Sequence, residues 1–281
     1  MSSTQIASLS VIGKDKKGII AKVTTCLFEN NVNILNIDQK VREGILTMRL
    51  QIDVSIVNFT KLKNDLAKIA QLIEMEIKIN LDSFHEKKNF AILVTKESHC
   101  LEAILKKYIN NQIPAIPKII IGNHSNLKPV ADCFKIPFHL ITEKDRLIGE
   151  EKICALLKKY DIDFIVLARF MKILSPEFVF RFEGRIINIH PSLLPAFPGA
   201  RPYQQALETG VTIAGVTAHF VTTDLDRGPV ILQDAFKIGK KETLKSIRER
   251  GQKLEAEVLT KAVILYAKNK LHLHWGKVYF K

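Results

Sequence analysis

Arg185-Ile186-Ile187-Asn188-Ile189-His190, followed at once by Pro191-Ser192-Leu193-Leu194-Pro195, carries the strongest structural signal in the chain. Read as a strand, the segment places Asn188 and His190 on one face, about 7 Å apart, and sends Ile187 and Ile189 to the opposite, buried face. Pro191 has no amide hydrogen to offer a ladder and ends the strand. The polar pair therefore sits at a carboxyl end, where open α/β sheets bind their ligands. An amide beside an imidazole can donate two hydrogen bonds to one oxygen, and each donor to a developing oxyanion is worth about 3 kcal/mol.

Downstream, Ala218-His219-Phe220-Val221-Thr222-Thr223-Asp224-Leu225-Asp226-Arg227-Gly228-Pro229 reads as a strand ending at Val221, then an acidic loop closed by Gly-Pro. A carboxylate there could keep a neighbouring imidazole protonated or take a proton from an attacking water. Spacing alone leaves plainer roles open: Asp residues in turns cap backbone amides, and His219, inside a strand, can be a hydrogen-bonded core residue. Around these segments, strand-like runs at 90–94, 116–121, 163–167, 185–189, 217–221 and 230–236 alternate with helical stretches at 100–110, 150–160 and 243–268. That alternation predicts a mostly parallel sheet covered on both faces. Leu244, Ile247, Leu254, Val258, Ala262 and Leu265 form the core stripe of the last helix, and 271–280 closes as a β segment. No strand is followed by Gly-x-Gly-x-x-Gly or Gly-x-x-x-x-Gly-Lys-Ser/Thr, so no dinucleotide or nucleoside triphosphate is indicated.

The first eighty residues form a separate unit. A strand at 7–13 leads through Asp15-Lys16-Lys17-Gly18 into a helix with Ile19, Ile20, Val23, Leu27 and Phe28 at helical spacing. Strands at 33–41 and 45–55, a helix at 59–73 carrying Leu62, Leu66, Ile69 and Ile73, and a strand at 75–81 complete a βαββαβ, ferredoxin-like order. The expected organisation is a first domain over 1–82, a polar linker over 83–89 and a second domain over 90–281.

The 281 residues, 47% hydrophobic and 25% charged, suit two globular domains. A net charge of +13 favours an anionic partner. The lysines fall in scattered pairs with no arginine-rich, aromatic-laced tract, so neither nucleic acid nor a membrane surface is expected. No apolar run approaches the roughly 18 residues of a membrane span. Cys26, Cys100, Cys133 and Cys154 form no Cys-x-x-Cys pair, which reads as reduced thiols in a cytoplasm without a cysteine zinc site.

The pattern Asp15-Lys16-Lys17-Gly18-Ile19-Ile20 through Leu27-Phe28-Glu29-Asn30-Asn31-Val32-Asn33-Ile34 resembles the ACT domain. That resemblance implies an amino-acid effector held near Gly18 and Asn33, with backbone amides of the helix N-terminus facing its carboxylate, and a homo-oligomer built edge to edge. Asn188–Pro195, taken with His219-Phe220-Val221, Leu225-Asp226 and Gly228 to Gln233, resembles the folate-dependent formyltransferase superfamily. Its Rossmann-like domain, joined to an ACT-like module, is similar to the formyltetrahydrofolate deformylase family. The resemblance implies catalytic Asn188, His190 and Asp226. It also implies a pteridine wall from Met171, Lys172 and Leu174 with Ile186, Val221 and Asp224, and 10-formyltetrahydrofolate as substrate rather than cofactor. The implied reaction is hydrolysis to tetrahydrofolate and formate, feeding purine synthesis, in a scheme that needs no metal. Deformylases usually carry His-Ser-Phe-Leu-Pro after Asn-Ile-His, whereas Pro191–Pro195 follows the transformylase pattern, which leaves an amine acceptor such as glycinamide ribonucleotide open. Against that acceptor, Thr95-Lys96-Glu97-Ser98-His99 lacks the phosphate-cradling Gly-Ser-Asn-Gly. A third possibility is a catalytically silent amino-acid sensor.

Overall fold

A computed structural model describes residues 5–42, 44–81, 87–274 and 276–280. The chain divides into two compact units, Met1–Glu86 and Lys87–Lys281. Residues 83–86 of the expected linker, with residue 82 before them, lie outside the described residues, and Lys88-Asn89 already belong to the first strand of the second unit.

In the first unit β1 (Ile6–Lys14), α1 (Ile19–Glu29), β2 (Asn33–Arg42), β3 (Ile45–Asp53), α2 (Phe59–Ile73) and β4 (Glu76–Leu81) follow the βαββαβ order. The sheet order is β2-β3-β1-β4, all antiparallel. Leu62, Leu66 and Ile73 of α2 meet Ile19, Val23 and Leu27 of α1 over Leu9, Val11 and Met48 of the sheet. Ile20 and Phe28, expected on the buried face of α1, are instead 40% and 79% exposed, because each lies one helical step past the buried Ile19 and Leu27 and so turns away from the stripe that faces the sheet.

The second unit runs β5 (Lys88–Val94), α3 (His99–Ile109), β6 (Ala115–Gly122), α4 (Lys128–Cys133), β7 (Phe138–Leu140), α5 (Arg146–Lys159), β8 (Phe164–Ala168), α6 (Pro176–Arg181) and β9 (Ile186–His190). It continues with α7 (Pro202–Thr209), β10 (Ile213–Phe220), β11 (Val230–Lys237), α8 (Leu244–Ala267), β12 (Leu271–His274) and β13 (Lys277–Phe280). The seven-stranded sheet has the order β11-β10-β9-β8-β5-β6-β7. Strands β5 to β9 are parallel, and β10 and β11 are antiparallel. One face packs Cys100, Leu101 and Ile104 of α3 and Val258, Leu259 and Val263 of α8 against Ile187 and Ile189. The other packs Ile153 and Leu157 of α5, Phe178 of α6 and Phe182 just after it against Ile165 and Ile186. The order reverses between β8 and β5, the point at whose carboxyl ends such sheets bind their ligands. Among the described residues, no helix is long and apolar enough to cross a membrane.

Candidate active site

Strand β9 alternates as expected, with Ile187 and Ile189 buried in the core of the α3/α8 face and Asn188 half-buried. Antiparallel β10 sets His219 opposite Asn188 and Thr217 opposite His190. The carboxyl end of β10 therefore lies beside Ile186, at the start of β9, where Val221 N–H donates to the Ile186 carbonyl at 2.9 Å. Asp226 can reach His190 only if the 221–229 loop folds back across the sheet. It does so with Asp226 itself left-handed (φ 54°) and with Gly228 pressed so close that an added Cβ would lie 1.7 Å from the Phe220 oxygen. Any side chain at 228 would push this loop away.

The fold-back puts Asp226 Oδ2 3.3 Å from His190 Nδ1, with both side chains almost enclosed, at 7% and 6% exposure. The Gly199 amide donates to the same oxygen at 2.8 Å. Burial alone would raise the Asp226 pKa, but the His190 and Gly199 hydrogen bonds and the imidazole charges outweigh it, and the carboxyl is held below its ordinary value. His190 Nε2 lies 3.0 Å from the Phe197 carbonyl. Both ring nitrogens thus face acceptors, an arrangement only the doubly protonated ring satisfies at both positions. Asn188 Nδ2 is 3.3 Å from His219 Nε2. The structure thus brings Asn188, His190 and Asp226 into one cluster and adds His219 to it.

The implied pteridine wall is assembled only in part. Met171, Lys172 and Asp224 are exposed, and Leu174 and Val221 are half-buried against the α5/α6 face. Thr95 Oγ1 accepts from the Met171 amide at 2.9 Å, and Lys172 Nζ donates to the Glu143 carbonyl at 3.1 Å. Ile186 is fully buried and has no surface to offer a ligand; it backs the wall. A cleft of about 30 Å³ between this segment and α5 is lined by Asn123, Arg146, Lys172 and Leu174, and a pterin needs it to widen. A larger cavity of about 450 Å³ lies on the far side of the 191–197 loop, against Tyr203, Ala206 and Ile213. Asn188, His190, His219, Asp226 and the implied wall residues are not among those that line it.

Gly18 and Asn33 are not brought together. Gly18 (φ 86°) precedes α1 at the end of the sheet where Lys14 pairs with Ile45, and Asn33 pairs with Asp53 at the opposite end. The eleven residues of α1 separate them, and at 1.5 Å per residue that is about 16 Å. Within one protomer a single amino acid cannot touch both.

Residues 88–263 match the family model described as formyl transferase, and residues 5–80 match that of the ACT domain. Over 94% of its length the chain is 37% identical to formyltetrahydrofolate deformylases of Bacillus subtilis and Haemophilus influenzae, covering 89% and 94% of those proteins. The chain belongs to the formyltetrahydrofolate deformylase family. The solved deformylase of Pseudomonas syringae matches with a TM-score of 0.68 at 27% identity, covering 100% of this chain and 95% of that one. Glycinamide ribonucleotide transformylase 1 of Symbiobacterium toebii matches with a TM-score of 0.67 at 29% identity. It covers 71% of this chain and 96% of its own. The transformylase is thus shared over less of the chain, whereas the deformylases share nearly all of it.

Beside the family cluster lies a second one that the sequence reading missed. Glu255 of α8 is 1% exposed. Its Oε1 accepts from Tyr203 at 2.8 Å, and its Oε2 lies 3.0 Å from His99 Nε2 and 3.4 Å from Arg169 Nε. Arg169 also donates to Glu97 at 3.0 Å. Burial disfavours the Arg169 charge, yet Glu255 and Glu97 together raise its pKa. Donor atoms of His99, Cys100 and Glu255 lie within 4.8 Å of one another, which is metal-ligand spacing. Both Glu255 oxygens are already engaged and Arg169 supplies the cation; burial also raises the Cys100 pKa and keeps the thiol protonated. The set fits an ion network better than a metal centre. The available signal was Glu255 itself, a charge beside the apolar stripe of α8.

Proposed function

We propose that the second unit hydrolyses 10-formyltetrahydrofolate to tetrahydrofolate and formate, the formate serving purine synthesis. The observation that carries this reading is the Asn188–His190–Asp226 cluster, one carboxylate, one imidazole and one half-exposed amide at the end of β9. In this scheme Asp226 accepts a proton from water as the water oxygen bonds to the formyl carbon. The carbonyl electrons move onto oxygen, where the Asn188 N–H and the positive His190 ring hold them. Re-forming the carbonyl breaks the bond to N10, which takes up the proton held by Asp226, and the formic acid released loses its own proton to solvent to become formate. His190 Nε2–H reaches that oxygen by exchanging the Phe197 carbonyl for it. Arg146 and Lys172, lining the narrow cleft, supply cations for the glutamate carboxylates of the folate.

Water rather than a phosphorylated amine is favoured as acceptor by the end of β5, where a phosphate would meet the Glu97 carboxylate. Burial raises the Glu97 pKa, but the charge and hydrogen bond of Arg169, with smaller help from His99 and Gln252, outweigh it and hold the carboxyl below its ordinary value. The ACT-like unit takes an amino-acid effector and pairs with a second copy along β2. That edge strand carries exposed Leu35, Ile37 and Val41. The four free cysteines agree with action in a reducing cytoplasm.

The test is formate release from 10-formyltetrahydrofolate with no amine present. Release is expected. Turnover that requires an amine would make the protein a transferase, and a thermal shift with glycine or methionine without turnover would make it a silent sensor.

A further inference from the structure

His219 is buried at 2% exposure near the carboxyl end of β10, directly across the ladder from Asn188. It touches no point where a formyl group could lie, and the scheme above gives it no step. Its ring is nevertheless pinned on both sides. Nδ1 sits 2.9 Å from the Phe220 carbonyl oxygen, a group that only accepts, so the Nδ1 position carries a hydrogen. Nε2 faces Asn188 Nδ2 at 3.3 Å. A neutral ring whose hydrogen is on Nδ1 presents a lone pair at Nε2, and a lone pair can be satisfied by the amide NH2 but is repelled by the amide oxygen.

We infer that His219 is a positioning residue: its Nε2 lone pair holds the Asn188 amide in the one orientation that offers N–H, not C=O, to the formyl oxygen. The inference rests on the hydrolytic reading for its purpose and on the ladder geometry for its substance. The second Nδ2 hydrogen of Asn188 is the donor left over, on a side chain that is half-exposed while its strand neighbours are buried. A flipped amide would set an oxygen against the developing oxyanion and turn a stabilising contact into a repulsive one. Burial lowers the His219 pKa and keeps the ring neutral, in line with this geometry. Two titratable groups face it. Asp226, whose Oδ1 lies 4.0 Å from Nε2, favours the charged ring, and His190 on β9 opposes it.

The decisive experiment pairs kinetics with a direct reading of the ring. In the wild-type chain, nitrogen-15 NMR of His219 is expected to show the neutral tautomer protonated at Nδ1 near pH 7.5. An Nε2-protonated or doubly protonated ring would overturn the inference whether or not the protein releases formate. Absence of formate release, by contrast, would sink only the hydrolytic reading. For kinetics, His219→Phe keeps a ring but removes the lone pair, and His219→Gln restores an acceptor. His219→Phe is expected to lower kcat by about 10- to 100-fold with KM changed less than about threefold, below the 10²–10³ range for losing an oxyanion donor outright because the amide is misoriented rather than removed. His219→Gln is expected to recover part of that loss. In an Asn188→Ala background, His219→Phe should cost little more, because the amide it orients is gone. Equal losses in both backgrounds, or near-normal kcat in folded His219→Phe, would reduce His219 to a packing residue.

Discussion

Asp226→Asn is the sharpest perturbation of the Asn188–His190–Asp226 cluster because it changes charge and almost nothing else. The Asn oxygen can keep the Gly199 amide bond, so the fold-back of the 221–229 loop has its anchor. The same oxygen then still faces His190 Nδ1, now without the negative charge that attracts the ring, and the new NH2 takes the Oδ1 position, 4.0 Å from His219 Nε2. Two unit charges at the observed 3.3 Å attract by about 5 kcal/mol at an effective dielectric constant of about 20. Partial expression of that attraction in the transition state, together with loss of the proton acceptor, predicts a fall in kcat of about 10²- to 10⁴-fold, or roughly 3–5 kcal/mol. KM should change little. The assay is acceptor-free formate release alongside thermal unfolding, the melting temperature being expected to stay within about 3 °C. A variant that folds normally and turns over within about threefold of the parent would refute the role given to Asp226.

Glu255→Ala strands Tyr203, His99 and Arg169 in a buried site and should cost about 3–5 kcal/mol. That corresponds to a drop of about 6–20 °C in the melting temperature of the second unit; a loss under about 1 kcal/mol would mean the network is neutral. Because the folded pKa of His219 lies below its ordinary 6.5, the unfolded chain binds more protons in the window just under that value. Stability should therefore rise with pH as it climbs towards about 6.5 and fall on acidification. Denaturant titrations of His219→Gln should show a shallower slope there, and an unchanged slope would contradict the neutral buried ring. Gly18→Ala meets no atom within 4 Å but must hold φ near 86°, so it should destabilise the first unit by about 1–2 kcal/mol through backbone strain alone. A stabilising effect by calorimetry would contradict the left-handed turn.

What the sequence made legible follows from short-range physics. The alternation at 185–190 and the stop at Pro191 located β9 because period and proline act within a few residues, and α2 was placed at 59–73 by its apolar spacing alone. Helix α6 was missed although its signal was present: Ser175 caps the Phe178 amide, and Pro176 stands at the first helical position. Strand β7, three residues long, carries too little pattern for any period to register. The antiparallel run of β10, and hence the fold-back of Asp226, depends on which strands become neighbours. Alternation of strand and helix does not encode that choice. The same holds for Gly18 and Asn33, which fifteen residues of sequence seem to join and one helix keeps apart.

The two polar clusters of the second unit are mechanically one. The segment between Ala196 and Pro202 supplies the Phe197 carbonyl to His190 and the Gly199 amide to Asp226, so it sets the angle between imidazole and carboxylate. It does this with Phe197 and Arg201 both left-handed, at φ 51° and 53°. For residues with a Cβ that conformation costs on the order of 1 kcal/mol each and persists only when the surroundings impose it. The restraint lies immediately downstream. Gln205 donates back to the Ala200 carbonyl at 2.7 Å, and Tyr203, in the first turn of α7, is tied to buried Glu255. Arg169 and His99 hold that carboxylate from β8 and α3, so the carboxyl ends of the central strands and the strained loop share one anchor. The network that keeps Glu97 charged at the end of β5 therefore also holds the geometry of His190 and Asp226. On the proposed scheme, exclusion of a phosphorylated acceptor and preparation of a water-activating carboxylate then have a common structural source.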